Sequence, residues 1–280
     1  TYEQRDQARA RAHEATIALK STFSIETVGA AAKSRLLNLL RHTNLAKWNM
    51  VHRRERGKHA SPTLPIPGGW YDADYFEHGL KSNWNQGYTW QLFQGLFRET
   101  ADYLLEMFPE AGTFLDMGCA KGFLVAALRE KGKEAFGFDH SPWAIQHAVP
   151  AASDYLQLAD AGSAHYERTF DIVTAFSVLE SLTESQIDLA LSQLRRWTRQ
   201  GFLAFIPTLK EGSEVKTAFE DLDLSHVTLR SRSWWHARFL EAGWRQDPLH
   251  RIVEWRCRSH CLPKRMGWEI YVYAPGETQA

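Results

Sequence analysis

Asp116 is followed two and six positions later by Gly118 and Gly122, in the run FLDMGCAKGFLVAALREKG. The acid closes an apolar stretch, and an amphipathic stretch opens just past the second glycine. Glycine in such a turn lets the backbone approach a ligand closely, and the first amides of the helix that follows are free donors. Twenty-three residues after Asp116, a second apolar run, EAFGFD, ends at Asp139. A carboxylate at the tip of a second strand can accept both hydroxyls of a ribose. The chemistry implied is the holding of a nucleoside-bearing cofactor. The dinucleotide fingerprint G-x-G-x-x-G is not met, because this turn carries two glycines and an acid ahead of them, so NAD and FAD fit poorly.

The D-M-G-C-A-K-G turn, paired with Asp139, resembles motif I and the second-strand acid of the class I S-adenosylmethionine-dependent methyltransferases. The resemblance covers about residues 110 to 210. It implies an α/β fold built on a doubly wound, mostly parallel seven-stranded sheet. It also implies S-adenosylmethionine as cofactor and S-adenosylhomocysteine as product. By the same resemblance Asp116, Gly118, Cys119 and Gly122 shape the methionine pocket, with Cys119 there for packing, and Asp139 holds the ribose. His140 then lies beside the adenine, Asp160 of QLADAG meets its amino group, Ala161 next to it is a further cofactor-binding candidate, and Phe176 and Ser177 end the fourth strand. The segment YDADYFEHGLKSNW resembles the lead-in of methyltransferases of sugar and secondary metabolism. That likeness makes Tyr71, Tyr75 and Lys81 candidates for closing over the cofactor carboxylate.

Methyl transfer from a sulfonium is an in-line displacement, in which holding donor and acceptor in contact is worth about 7 to 11 kcal/mol. An alcohol acceptor must also lose a proton, so a base is the next residue to seek. The run FDIVTAFSVLESL resembles the VLEHL pattern of the superfamily with Ser181 in place of the histidine. Glu180 is the first candidate for a site carboxylate, and His226 and His236 are secondary candidates for the base. Amino methylation of DNA bases is disfavoured, because the NPPY-like sequence is missing. Cytosine C5 chemistry lacks its Pro-Cys dipeptide, and the double-glutamate hairpin of arginine methyltransferases is not evident. Cys257, His260 and Cys261 offer three soft ligands where a structural zinc site takes four, so no metal is expected.

The elements that must position these groups are readable in outline. TFLDMG, EAFGFDH, DYLQLAD, FDIVTAFSV and GFLAFIP read as strands alternating with helical segments, the signature of a parallel sheet. SWWHARFLEAGW reads as a helix ending at Gly243, and RIVEWRCRS and WEIYVYA as closing strands. Residues 1–60 read as a helical extension with an apolar stripe at Leu36, Leu37 and Leu40, a possible homodimer contact. Residues 61–109 read as an aromatic loop and helix. Residues 110–280 read as the cofactor domain, with an acceptor-covering insertion near 208–235.

The chain of 280 residues balances 33 Lys and Arg against 33 Asp and Glu, which argues against a dedicated nucleic-acid binder. Basic stretches at Lys47–His59 and Arg245–Arg265 keep RNA methylation as an alternative, and the N-terminal stripe motivates a second, a non-catalytic partner protein. Trp70, Trp84, Trp90, Trp234 and Trp235 suit a sugar or planar metabolite, so the expected acceptor is a small molecule or saccharide precursor methylated on oxygen. With three cysteines, a polar start and no apolar run of about 18 residues, a cytoplasmic protein without a membrane span is expected.

Overall fold

Strands whose residues alternate between two buried faces, with helices on both, build the sheet, and the sequence periodicity shows why. The computed structural model describes residues 62–82, 84, 87–209, 211–212, 223–247 and 268–276. The N-terminal helical extension with its proposed dimer contact, the basic stretch 47–59, Cys257, His260 and Cys261 lie outside the described residues. So does the strand expected at RIVEWRCRS.

Among the described residues seven strands are present: β1 Thr113–Met117, β2 Glu134–Asp139, β3 Leu156–Leu158, β4 Phe170–Phe176, β5 Thr198–Pro207, β6 Trp244–Gln246 and β7 Trp268–Pro275. They lie in the order β3-β2-β1-β4-β5-β7-β6, with β7 antiparallel to both β5 and β6 and the remaining pairs parallel. The fold is therefore the doubly wound, mostly parallel seven-stranded sheet expected.

Successive residues of one strand serve different cores. Phe114, Leu203, Phe205, Ile270 and Val272 pack on one face; Leu115, Phe202, Ala204, Ile206, Tyr271 and Tyr273 pack on the other. A sheet covered on both sides needs apolar residues on both, which is why these strands read as continuous runs.

The helices are α1 Ala73–Phe76, α2 Trp90–Met107, α3 Phe123–Glu130, α4 Pro142–Gln146, α5 Glu184–Trp197 and α6 Arg232–Glu241. On α5 the buried positions Ile187, Ala190, Leu191, Leu194 and Trp197 recur at helical spacing, and Thr183 with Gln186 forms a capping box at its start. On α2 the stripe is less complete: Ala101 and Leu104 are buried, whereas Leu92 is 42% exposed. Helix α6 stops at Glu241, and Gly243 follows at φ +81°.

Strand order reverses between β1 and its two neighbours β2 and β4, which leave β1 in opposite directions across the sheet. In open α/β sheets a crevice forms outside the carboxyl ends of the strands at such a switch point.

Candidate active site

The crevice is a cavity of about 680 Å³ running from the tips of β2 and β3 to the tip of β4. Its floor is the turn after β1. Gly118 (φ +69°) and Ala120 (φ +47°) both take left-handed backbone, and the amides of Gly118 and Cys119 bond the Phe138 carbonyl of β2. This aims the Ala120 amide at Asp139, whose Oδ2 accepts it at 2.8 Å while Oδ1 accepts the Ser141 amide at 2.8 Å. A carboxylate has about four acceptor positions, so both oxygens keep lone pairs at the cavity wall. Burial pushes the Asp139 carboxyl up, against the opposing pull of His140 and the amides of Ser141 and Ala120.

Beside it His140 lines the cavity and meets the Tyr71 ring edge-on at 4.9 Å. At the tip of β3, burial raises the Asp160 carboxyl, but the amides of Ser163 and Gly162, at 2.7 and 2.8 Å from Oδ1, outweigh it and hold the group below its ordinary range. Asp160, Ala161, Phe176 and Ser177 all face the cavity.

The β4 side carries a buried polar group. The Tyr75 hydroxyl donates to Asp223 Oδ2 at 2.9 Å, and Asp223 Oδ1 accepts the Ser225 amide and hydroxyl. His226 Nε2 stands 3.4 Å from Glu180 Oε1 and 3.9 Å from Asp223 Oδ2. Ser177, a non-glycine residue at φ +56°, donates its hydroxyl to Glu180 Oε1. Burial pushes the Glu180 carboxyl up to about 7, with His226 pulling it down. His226 and Asp223 line the cavity; Glu180 sits behind them.

Several expected site residues stand elsewhere. Lys81 does not line the cavity: its ammonium bonds Asp72 Oδ2 at 2.7 Å and the Trp70 carbonyl at 3.1 Å, so it ties the lead-in together. His236 lines a separate hollow of about 270 Å³, where Nδ1 meets the Tyr273 hydroxyl, because α6 packs on the β5–β7 side of the sheet.

Asp116 lies beneath the turn and accepts from Thr174 Oγ1 at 2.6 Å; burial raises its carboxyl to about 7. Cys119 packs against Gly137, and burial pushes its thiol well up, which suits packing rather than nucleophilic chemistry. Gly122 is the left-handed cap of α3; a Cβ there would stand 2.8 Å from Ala152 and Leu156.

Ser141, Asp223 and Ser225 were not singled out from the sequence. Ser141 has a local signal, a serine before a proline at a helix start, and it caps α4 while bonding the Tyr71 carbonyl at 2.6 Å. Asp223 and Ser225 carry no such signal.

A family model described as "Methyltransferase domain" matches residues 90–247. That is more than half of the chain, which therefore belongs to this family and is a methyltransferase. Among solved structures, DesVI of Streptomyces venezuelae is 18% identical with a TM-score of 0.49, covering 66% of this chain and 92% of that one. The sugar N-methyltransferase KedS8 of Streptoalloteichus is 16% identical at 0.49, covering 68% and 93%. CalS10, an amino pentose methyltransferase of Micromonospora echinaspora, is 15% identical at 0.49, covering 65% and 90%. No curated protein matches the chain. Among the described residues no helix is long and apolar enough to cross a membrane.

Proposed function

We propose that the chain transfers a methyl group from S-adenosylmethionine to a hydroxyl of a small molecule or saccharide precursor. The observation that carries this reading is the single cavity that joins Asp139, with acceptor capacity on both oxygens, to the His226 group beyond the tip of β4. The donor, when bound, supplies an electrophilic methyl carbon on a sulfonium. Asp139 would hold the two ribose hydroxyls, and Asp160 and Ala161 would flank the base. The turn at Gly118 would leave room for the methionine portion. Tyr71 and Tyr75, both at least nine-tenths buried, exclude water from the neighbourhood of the acceptor. His226, at the cavity wall, is placed to take the acceptor proton.

Among the described residues no lysine or arginine lines the cavity, which favours an uncharged acceptor over a polyanion such as RNA. The trial is calorimetric titration with S-adenosylhomocysteine of the full chain and of Asp139→Ala. Loss of hydrogen bonds to a charged group, worth about 1.5 to 3 kcal/mol, gives an expected weakening of about 10- to 100-fold in the variant. If the unaltered chain shows no saturable binding, the reading is wrong.

A further inference from the structure

Glu180 is fully buried, its Oε2 has no hydrogen-bond partner, and it does not reach the cavity. Leaving a buried carboxylate oxygen unpaired is costly, and anchoring the neighbouring segment does not require it. The backbone carbonyl of Glu180 already accepts the amides of Val227 and Thr228, each at 2.9 Å, which ties His226 and its flanks to the turn after β4. What the side chain adds is an acid 3.4 Å from His226 Nε2, itself oriented by the Ser177 hydroxyl. Ser177 holds left-handed backbone to make that contact, and strain of this kind collects at functional positions. Ser181 follows the acid where the resembled VLEHL pattern has a histidine. The imidazole arrives instead from a segment 46 positions downstream.

We propose that Glu180 is a positioning residue that acts through His226, holding the imidazole in place and balancing its charge once it has accepted the proton of an acceptor hydroxyl. The proposal rests on the methyl-transfer reading above. In the step, the hydroxyl proton passes to His226, and the oxygen pair so released forms the new carbon–oxygen bond. The carbon–sulfur bond breaks with its electron pair to sulfur. The products are a methyl ether, a thioether and an imidazolium facing Glu180. A hydroxyl acceptor must shed a proton and uses such a base, whereas a carboxylate acceptor has no proton to lose. The titratable groups beside the imidazole are Glu180 from the β4 turn and Asp223 from its own segment, and Tyr71 and Tyr75 from the lead-in and Asp139 and His140 from the tip of β2 line the same cavity.

The experiment needs no identified acceptor. The full chain, labelled with ¹⁵N-histidine, is titrated by NMR from pH 5 to 9, alone and saturated with S-adenosylhomocysteine, beside Glu180→Gln and His226→Asn. The signal absent from His226→Asn reports His226. Because an opposite charge at this range moves a titration midpoint by about 1 unit or more, that midpoint is expected to fall by about 1 unit in Glu180→Gln while S-adenosylhomocysteine affinity stays within about twofold. An imidazole that stays neutral throughout in the unaltered chain, or a midpoint unmoved in Glu180→Gln, overturns the proposal and leaves the pair a structural contact. Should Glu180→Gln fail to fold, Glu180→Asp replaces it, with a smaller fall supporting the proposal and an unmoved midpoint overturning it. Absence of S-adenosylhomocysteine binding in the unaltered chain would instead sink the methyl-transfer reading, while the imidazole midpoint would still be read.

Discussion

Asp116 shows how much one carboxyl can be asked to do away from a ligand. It sits under the glycine turn, bonded to Thr174, and its folded value of about 7 lies above the ordinary carboxyl range. The folded state then binds more protons than the unfolded chain between about pH 4 and 7. Its favourable contribution is full below the unfolded value and is lost as pH rises through 7. Urea unfolding should therefore show Asp116→Asn losing less stability than the unaltered chain between pH 5 and 8; a steeper loss in the variant would contradict the assignment. Thr174→Val removes the donor, and its cost of about 1 to 3 kcal/mol should be larger at pH 8, where the carboxyl it serves is charged, than at pH 5.

At the scale of elements, the turn between β1 and α3 is shaped as much by its neighbours as by any ligand. A Cβ at Gly118 would stand 2.3 Å from Val178 Cγ2, and the backbone there is already left-handed. Gly118→Ala should cost about 2 to 4 kcal/mol, the sum of a left-handed penalty and overpacking. Gly118→Ala combined with Val178→Ala should relieve the packing share but not the backbone share, so a double-mutant cycle in denaturant should give a coupling of about 1 kcal/mol or more. Additive effects would show that the contact with the β4 turn is irrelevant. The sequence located this turn correctly from its acid and glycine spacing. It assigned Gly122 to the cofactor pocket, whereas the structure sets that residue against Ala152 and Leu156.

Across the whole molecule, stability and binding are placed at opposite ends of the strands. At the start of β4, Asp171 accepts the amides of Gly112 and Thr113, the Thr113 hydroxyl, Arg199 and Gln200, clasping β1, β4 and β5 together. The cavity lies at the other end. Asp171→Ala should lose about 2 to 3 kcal/mol of stability by strand-end unpairing while leaving S-adenosylhomocysteine affinity unchanged. A fall in affinity equal to that of Asp139→Ala would mean that the two ends are coupled.

Taken by itself, the sequence determined the alternating strands and helices, the glycine turn with Asp139 at the neighbouring tip, and the absence of a dinucleotide fingerprint. These are local patterns, since strand and helix periods and turn residues act within a few positions of the chain. Tertiary structure alone decided which polar residues share the cavity. Lys81 turned inward to Asp72, and His236 went with α6 to the β6–β7 edge of the sheet. His226 was brought against Glu180, 46 positions away, by the two backbone hydrogen bonds of Val227 and Thr228 to the Glu180 carbonyl. Such pairings follow from how a long connection packs back onto the sheet, and the identity of a histidine carries no record of it.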